Sequence, residues 1–369
     1  MPQVRRTAVV AAFAAAALAL SAVPAAAAPA APPTSSPAPG TVFAATDQLA
    51  RQVASTLADR TVRDRVTSTV AKSPADVLSL GAGSRLAAQA RSANRDVLAA
   101  KGLPADSGSL LQLRLANPAA RTALRDGQVP LVAAAPTDDQ LTAVTAYDPN
   151  GGSTLLDPKV APQRPVLVVE VDVAKALPAG LTVMRHALDR RGVSDAAAAK
   201  AAPRDAGGYW ATKVNSVRLN DDEEPWVEGD AEIYSIVSGW GLDGHPAVNI
   251  VQMPYLDDDG TTYYPNQLLV QFKDYKYDLA DVVMMEDDGD TNYQALATAI
   301  ADALLTLTDL GAYTPLVNAI LSAIPSSWWT NDPDYTDSWY TLATTSSGTI
   351  TGAAGNGTMD LSSYWVSGL

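Results

Sequence analysis

Between Asp47 and Lys72 the apolar residues Leu49, Val53, Leu57, Val62, Val66 and Val70 recur at three- to five-residue steps, a spacing that predicts one amphipathic helix. Ser84 to Ala100 and Asn117 to Arg125 read as further helices, the second with an asparagine N-cap and a proline in its first turn. At Val129 the period shortens. Val129–Ala134, Leu141–Tyr147 and Pro165–Val173 are short apolar or alternating runs, as strands are. Asp148-Pro149-Asn150-Gly151-Gly152 is a hairpin-type turn that folds Leu141–Leu156 back on itself. Ala174–Ala202 is Ala-rich and charged and fits a helix, a flexible connection, or both in part.

Further on, strand-like runs recur at Ala211–Leu219, Asp230–Ser238, Ala247–Leu256, Gln267–Lys273, Leu279–Glu286, Ser338–Thr345 and Gly357–Ser363. Short strands separated by turns predict an antiparallel β-sandwich. Asp259-Gly260 marks a hairpin turn, with Thr261–Tyr264 beginning the return. One stretch breaks the series: Leu296, Ile300, Leu304 and Leu307, then Leu316, Ile320 and Ile324, step at helical spacing on either side of Gly311. The expected fold is α+β: a helical N-terminal region, a small mixed β segment, and an antiparallel β-sandwich with an inserted helix pair. No repeat of fixed period is present.

Arg5 and Arg6 precede an apolar run from Ala8 to Leu20 and the small residues Ala25–Ala28, the pattern of a secretory signal peptide. The paired arginines lack a full twin-arginine motif, so an ordinary positive leader is expected. The layout is then a signal peptide over 1–27, a disordered Pro/Ser/Ala linker over 28–44, an α-rich region with a small β segment over 45–205, and an acidic antiparallel β-sandwich over 206–369. Such a chain is expected to be secreted and extracellular, and soluble once cleaved. It contains no cysteine, so stability outside the cell rests on cores or bound ions.

Charge divides the chain at the same place. Residues 28–218 carry 22 Lys or Arg against 16 Asp or Glu, whereas residues 219–369 carry 2 against 24. A balance of −22 suits a cation, a basic protein or a basic surface as partner and argues against nucleic acid. Within this half three acidic clusters follow strand-like runs: Asp221-Asp222-Glu223-Glu224, Asp257-Asp258-Asp259, and Glu286-Asp287-Asp288-Gly289-Asp290. Turn chemistry alone explains the middle one. If the strands ending at Leu219 and Glu286 are neighbours, Asp221, Asp222, Glu224, Asp287, Asp288 and Asp290 converge as oxygen ligands for calcium, which takes about six to eight oxygens. The competing reading is a solvated acidic rim. Neither glycine-bearing cluster has EF-hand spacing. His186 and His245 are far apart, against a transition-metal site.

No esterase elbow, zinc-protease helix, phosphate loop or catalytic cysteine is present. The alternative to a binding module is a secreted hydrolase with paired carboxylates, glycosidase-like, its sugar platform drawn from Trp226, Trp240, Trp328 and Trp329. A further alternative is calcium-dependent membrane docking through the apolar helix pair that ends in Trp328-Trp329. Against it stands the reading in which the helix pair covers the sandwich.

The run Glu224-Pro225-Trp226 to Gly229-Asp230-Ala231-Glu232-Ile233-Tyr234, with Met253-Pro254-Tyr255-Leu256 and Tyr263-Tyr264-Pro265-Asn266-Gln267, resembles secreted bacterial proteins grouped as domain of unknown function 3103. The resemblance runs from Pro165 to near the C-terminus and implies no established activity. More loosely, the acids before Pro225-Trp226 and the strand running into Glu286-Asp287-Asp288 are similar to calcium loops of C2-type sandwiches, though the spacing differs and a helix pair stands where a short loop is expected. Together these readings suggest a non-catalytic, calcium-responsive binding module for a surface or partner.

Overall fold

The computed structural model describes residues 41–81, 83–137, 142–194, 207–221, 226–227, 229, 231–287, 289–324 and 335–368. Residues 1–27, where a leader is expected, and all but the end of the 28–44 stretch fall outside them. Helix α1 (Thr41–Thr56) begins inside that stretch and buries Val42, Leu49, Ala50, Val53 and Ala54. The single helix expected over Asp47–Lys72 is two. Asp59 opens α2 (Arg60–Val70) by accepting the N–H groups of Thr61 at 2.7 Å and Val62 at 3.1 Å, which satisfies donors that a new helix start leaves unpaired. Helix α3 spans Ser84–Ala100 as predicted. The short α4 (Arg121–Arg125) follows a 3-10 turn in which Asn117 accepts the Ala119 N–H.

Six strands make the first sheet: β1 (Ala75–Asp76), β2 (Leu111–Leu115), β3 (Leu131–Ala134), β4 (Val144–Tyr147), β5 (Ser153–Leu156) and β6 (Val166–Val171), in the order β1-β2-β6-β3-β4-β5. β3 and β6 run parallel and the other pairs antiparallel. The hairpin expected at 148–152 joins β4 to β5. Strand β2 is an addition, five residues in which Leu111, Leu113 and Leu115 are buried and Gln112 and Arg114 lie on the other face. Helix α5 (Val173–Arg191) resolves the Ala-rich stretch as helix up to Gly192, whose φ of 75° closes it in the left-handed conformation that glycine adopts without a steric penalty. The end of that stretch, 195–202, is outside the described residues.

The second half is the expected two-sheet sandwich. One sheet has the order β13-β12-β8-β9, from β8 (Ile233–Trp240), β9 (Pro246–Gln252), β12 (Leu279–Glu286) and β13 (Tyr335–Ala343). The other has the order β10-β7-β15-β14, from β7 (Gly208–Leu219), β10 (Thr262–Tyr263), β14 (Gly348–Thr351) and β15 (Gly357–Ser367), with β11 (Gln267–Gln271) also on β7. The hairpin expected at Asp259-Gly260 is a crossover instead. β9 pairs with β8, and the returning β10 pairs with β7 of the facing sheet. Period-2 burial fixes which side chains meet: Val214, Val217, Leu219, Met359 and Leu361 from one sheet face Ile233, Val237, Val282 and Met284 from the other.

The inserted helices α6 (Tyr293–Leu304) and α7 (Val317–Ala323) cover the sandwich, as their apolar spacing favours. Their buried residues join Tyr234, Ile236, Val283 and Met285 on the outer face of the β8–β12 sheet. The same core continues through α5, α3 and α1 to Leu113, Val132 and Val169 of the first sheet. A helical layer thus lies between the first sheet and the sandwich, and residues 36–369 form one compact unit. The boundary placed at 205/206 falls outside the described residues, and the largest core draws on both sides of it.

The contact between α5 and α6 leaves no room at Gly180, where an added Cβ would sit 2.2 Å from the Tyr293 ring. Gly180→Ala is expected to lower the melting temperature by several degrees, at a cost of about 1–3 kcal/mol for overpacking. A thermal melt matching wild type within a degree would show that these helices are not so closely packed.

Candidate functional site

β7 and β12 belong to different sheets, so the strands ending at Leu219 and Glu286 do not pair. They do end at the same end of the sandwich. The Asn356 amide there donates to the backbone oxygens of Asp221 at 2.8 Å and Thr336 at 3.4 Å, and its oxygen accepts the Asp221 N–H at 3.0 Å. Thr336 follows Tyr335, which pairs with Met285 of β12. The middle cluster arrives at this end too: the Gly260 N–H donates to Leu219 O at 2.9 Å, and Arg218 Nε donates to Gly260 O at 2.8 Å. The ends of β7 and β12 and the Asp259-Gly260 turn, where the three acidic runs stand in the sequence, therefore share one end of the two-sheet stack.

Their acids do different things there. Asp257 and Asp258 accept the Tyr263 hydroxyl at 2.7 and 3.3 Å, so the middle cluster is organised as a turn. Asp221 is exposed and Asp290 half-buried. Asp287 is turned inward and buried with Lys101, with 3.6 Å between Oδ1 and the ammonium. Its other oxygen accepts the Tyr293 hydroxyl, and the Lys101 ammonium lies 5.0 Å above the Tyr293 ring. Burial first, and then the Asp287 charge, pushes the Tyr293 phenol well up, which keeps it a donor. Glu286 is buried beside it and accepts the Glu232 N–H at 3.3 Å. Asp222, Glu224 and Asp288 lie outside the described residues. Among the described residues, no group of three or more His, Asp or Glu is placed to hold a metal.

A second buried carboxylate supports the loop that carries the first cluster. Glu170 accepts from Gln112 Nε2 at 2.8 Å and from Arg114 Nε at 2.6 Å, and Arg114 Nη2 donates to Val227 O at 2.7 Å. Trp226 donates to Asp157 O at 3.2 Å, and with Val227 it packs on the outer face of the first sheet. The chain between β7 and β8 is thereby held across the first sheet. Burial raises Glu170 to about 7 despite the opposing effect of Arg114. A lone acid inside the run Val166–Val171 was a legible signal of a buried partner. Lys101 gave none, since a lysine just after a helix is ordinary.

The other tryptophans considered for a sugar platform do not assemble with Trp226. Trp240 is buried and donates to Thr314 O at 3.0 Å, and Trp328 and Trp329 are outside the described residues. His186 and His245 are both exposed, one on α5 and one in the β8–β9 turn. Among the described residues no helix is long and apolar enough to cross a membrane.

A family model described as "Protein of unknown function (DUF3103)" matches residues 43–368. The match takes in the helical region and the first sheet as well as the part from Pro165 onward. No curated protein and no solved structure matches the chain.

Two outcomes follow from the buried acids. Lys101→Met is expected to destabilise the fold by roughly 3–5 kcal/mol, because it leaves the Asp287 charge buried without its cation. Adding Asp287→Asn should recover part of that loss in chemical denaturation, and a double variant no better than the single one would mean that the two groups do not interact. For Glu170, the unfolded chain titrates at the ordinary 4.5 and the folded chain at about 7. The unfolded state gives up its proton first, so this group's contribution is fully present below 4.5 and is lost as pH rises to 7, by about 3 kcal/mol. Glu170→Gln should flatten the stability profile across that window; profiles of equal slope would refute the assignment.

Proposed function

The chain belongs to the protein family of unknown function DUF3103, and we propose that it acts as an exported, non-catalytic binding module that responds to calcium at the acid-rich end of its sandwich. The observation behind this reading is that the ends of β7 and β12 and the Asp259-Gly260 turn share that end, tied through Asn356 and Gly260. Carboxylates drawn together repel one another, and a hard cation relieves that repulsion. Asp287 is already committed to Lys101 and Tyr293. The ligands in this reading are the acids beyond the two strand ends, Asp221, Asp222, Glu224, Asp288 and Asp290, and the bound ion presents this end to a basic protein or surface.

The hydrolase alternative has less behind it. Asp281 accepts the N–H groups of Leu316 at 2.6 Å and Thr341 at 2.8 Å, and Asp337 accepts those of Ser338, Ala354 and Gly357. These buried acids hold backbone turns in place, a structural employment that leaves them poorly suited to proton transfer.

Calcium at ten times its dissociation constant should stabilise the native chain by about 1.4 kcal/mol, or about 2 °C in melting temperature for a chain of this size. Asp221→Asn combined with Asp290→Asn should abolish that shift and leave the calcium-free melt near wild type. A melt that is the same in millimolar calcium and in chelator would remove the calcium reading.

A further inference from the structure

The end of the sandwich opposite the acidic loops has the reverse character. Trp210 near the start of β7 and Trp365 near the end of β15 are cross-strand partners with ring centroids 5.2 Å apart, and each is nearly half exposed. Tyr364 is exposed beside them, with the Lys213 ammonium 5.7 Å from its ring. On the neighbouring strand Tyr209 donates to Gln271, and Lys273 lies 5.2 Å from the Tyr209 ring. The chain then reaches Tyr275, which bridges to Gly241 at the end of β8, and Leu242 in the adjoining turn is exposed. Lys276 pairs with Asp309 at 2.6 Å, next to Leu310, which is 86% exposed, and Leu305 at the end of α6 is exposed as well.

We propose that this end docks on the interface of a lipid bilayer. The exposed apolar side chains come from four separate tips: the start of β7, the end of β15, the β8–β9 turn and the connection after α6. Isolated tips enter a fluid interface one by one, whereas a protein partner is met by a continuous complementary patch. Trp and Tyr favour the boundary between headgroups and acyl chains, and lysines reach from there to phosphate while their stems stay apolar. Both basic residues of 219–369, Lys273 and Lys276, are at this end. Three of its acids sit beside cations, Asp274 with Lys273, Asp309 with Lys276 and Asp302 with Arg191, while the exposed Asp243 accepts the His245 N–H and Asp278 is exposed before β12, so the aromatic and apolar tips, more than net charge, carry the docking.

Charge also sets the orientation. The twelve residues of β7 separate the two ends by roughly 40 Å at ~3.3 Å per residue, several Debye lengths at physiological salt. Acidic loops that far away do not repel a membrane at the aromatic end, and an anionic bilayer turns them outward. This docking differs from a calcium-dependent one in needing no ion, and it does not rest on the calcium reading.

The test is flotation of the full chain with phosphatidylcholine vesicles containing phosphatidylglycerol, first in chelator and then with calcium. The protein is expected to rise with the vesicles and its tryptophan emission to shift to the blue. Leu310→Glu together with Leu242→Glu should cut the floated fraction about tenfold with the melting temperature unchanged. Protein left in the lower fraction overturns the proposal, as does flotation that the double variant does not reduce. Flotation seen only when calcium is added would assign docking to the acidic end. Sedimentation as a dimer that Leu310→Glu dissociates would assign this surface to a second copy of the chain. Either result also overturns the proposal.

Discussion

Lys101 and Asp287 are the charges on which the middle of this molecule depends, because each is buried where α3 ends against the start of α6. Two ions moved out of water cost several kcal/mol apiece unless each is compensated in place. The surrounding contacts hold the compensation in register. Asn292 caps α6 by accepting the Ala295 N–H at 2.9 Å, and it donates to Ala100 O at 2.6 Å. The Tyr293 N–H donates to Lys101 O at 3.2 Å. One asparagine and one tyrosine therefore fasten the last carbonyls of an N-terminal helix to the first turn of a C-terminal one. The helical layer can be shared by the first sheet and the sandwich because this joint fixes the approach of its two parts.

Much of the architecture was legible in the pattern of apolar residues, and the misses have physical causes. Strand β12 begins and ends where its apolar run does, and α6 and α7 bury the residues their spacing selects. Strand β2 was not legible, because five residues of Leu alternating with Gln and Arg are too short to stand out between helices. The break at Asp59 was readable in retrospect: an aspartate before Arg60 and Thr61 is an N-cap signal that the longer helical period masked. Asp259-Gly260 announced a change of direction truthfully. It contained no information about which sheet the returning strand would join, since a turn is local and strand pairing is not.

The candidate site was legible as composition and only partly as geometry. That the three acidic runs would begin at one end of the fold follows from each standing at the end of a strand or between two, once the strands lie in one sandwich. Which acids would face solvent did not follow, because burial depends on residues far away in the chain. Asp287 has its cation at position 101, and Glu170 its partners at 112 and 114. A run of aspartates reads as a uniform solvated face, yet its first members here, Glu286 and Asp287, point into the core.

The charge of −22 in the second half is therefore not a uniform coat. Asp281, Glu286, Asp287 and Asp337 are spent inside, and Asp274, Asp302 and Asp309 are matched by cations at the aromatic end. Among the described residues, the exposed Asp221 and the half-buried Asp290 stand just beyond the ends of β7 and β12, at one pole of the sandwich. Long strands convert a compositional imbalance into a polar molecule. The Trp210–Trp365 pair and the acids beyond Leu219 stand several screening lengths apart along β7, so what binds at one pole is electrostatically insulated from what binds at the other. Mechanical coupling is a different matter. Arg114 ties the β7–β8 loop to the first sheet, and α6 runs from the acidic pole toward the aromatic one. Any communication between the poles must pass through those packed elements, with the Lys101–Asp287 joint at its start.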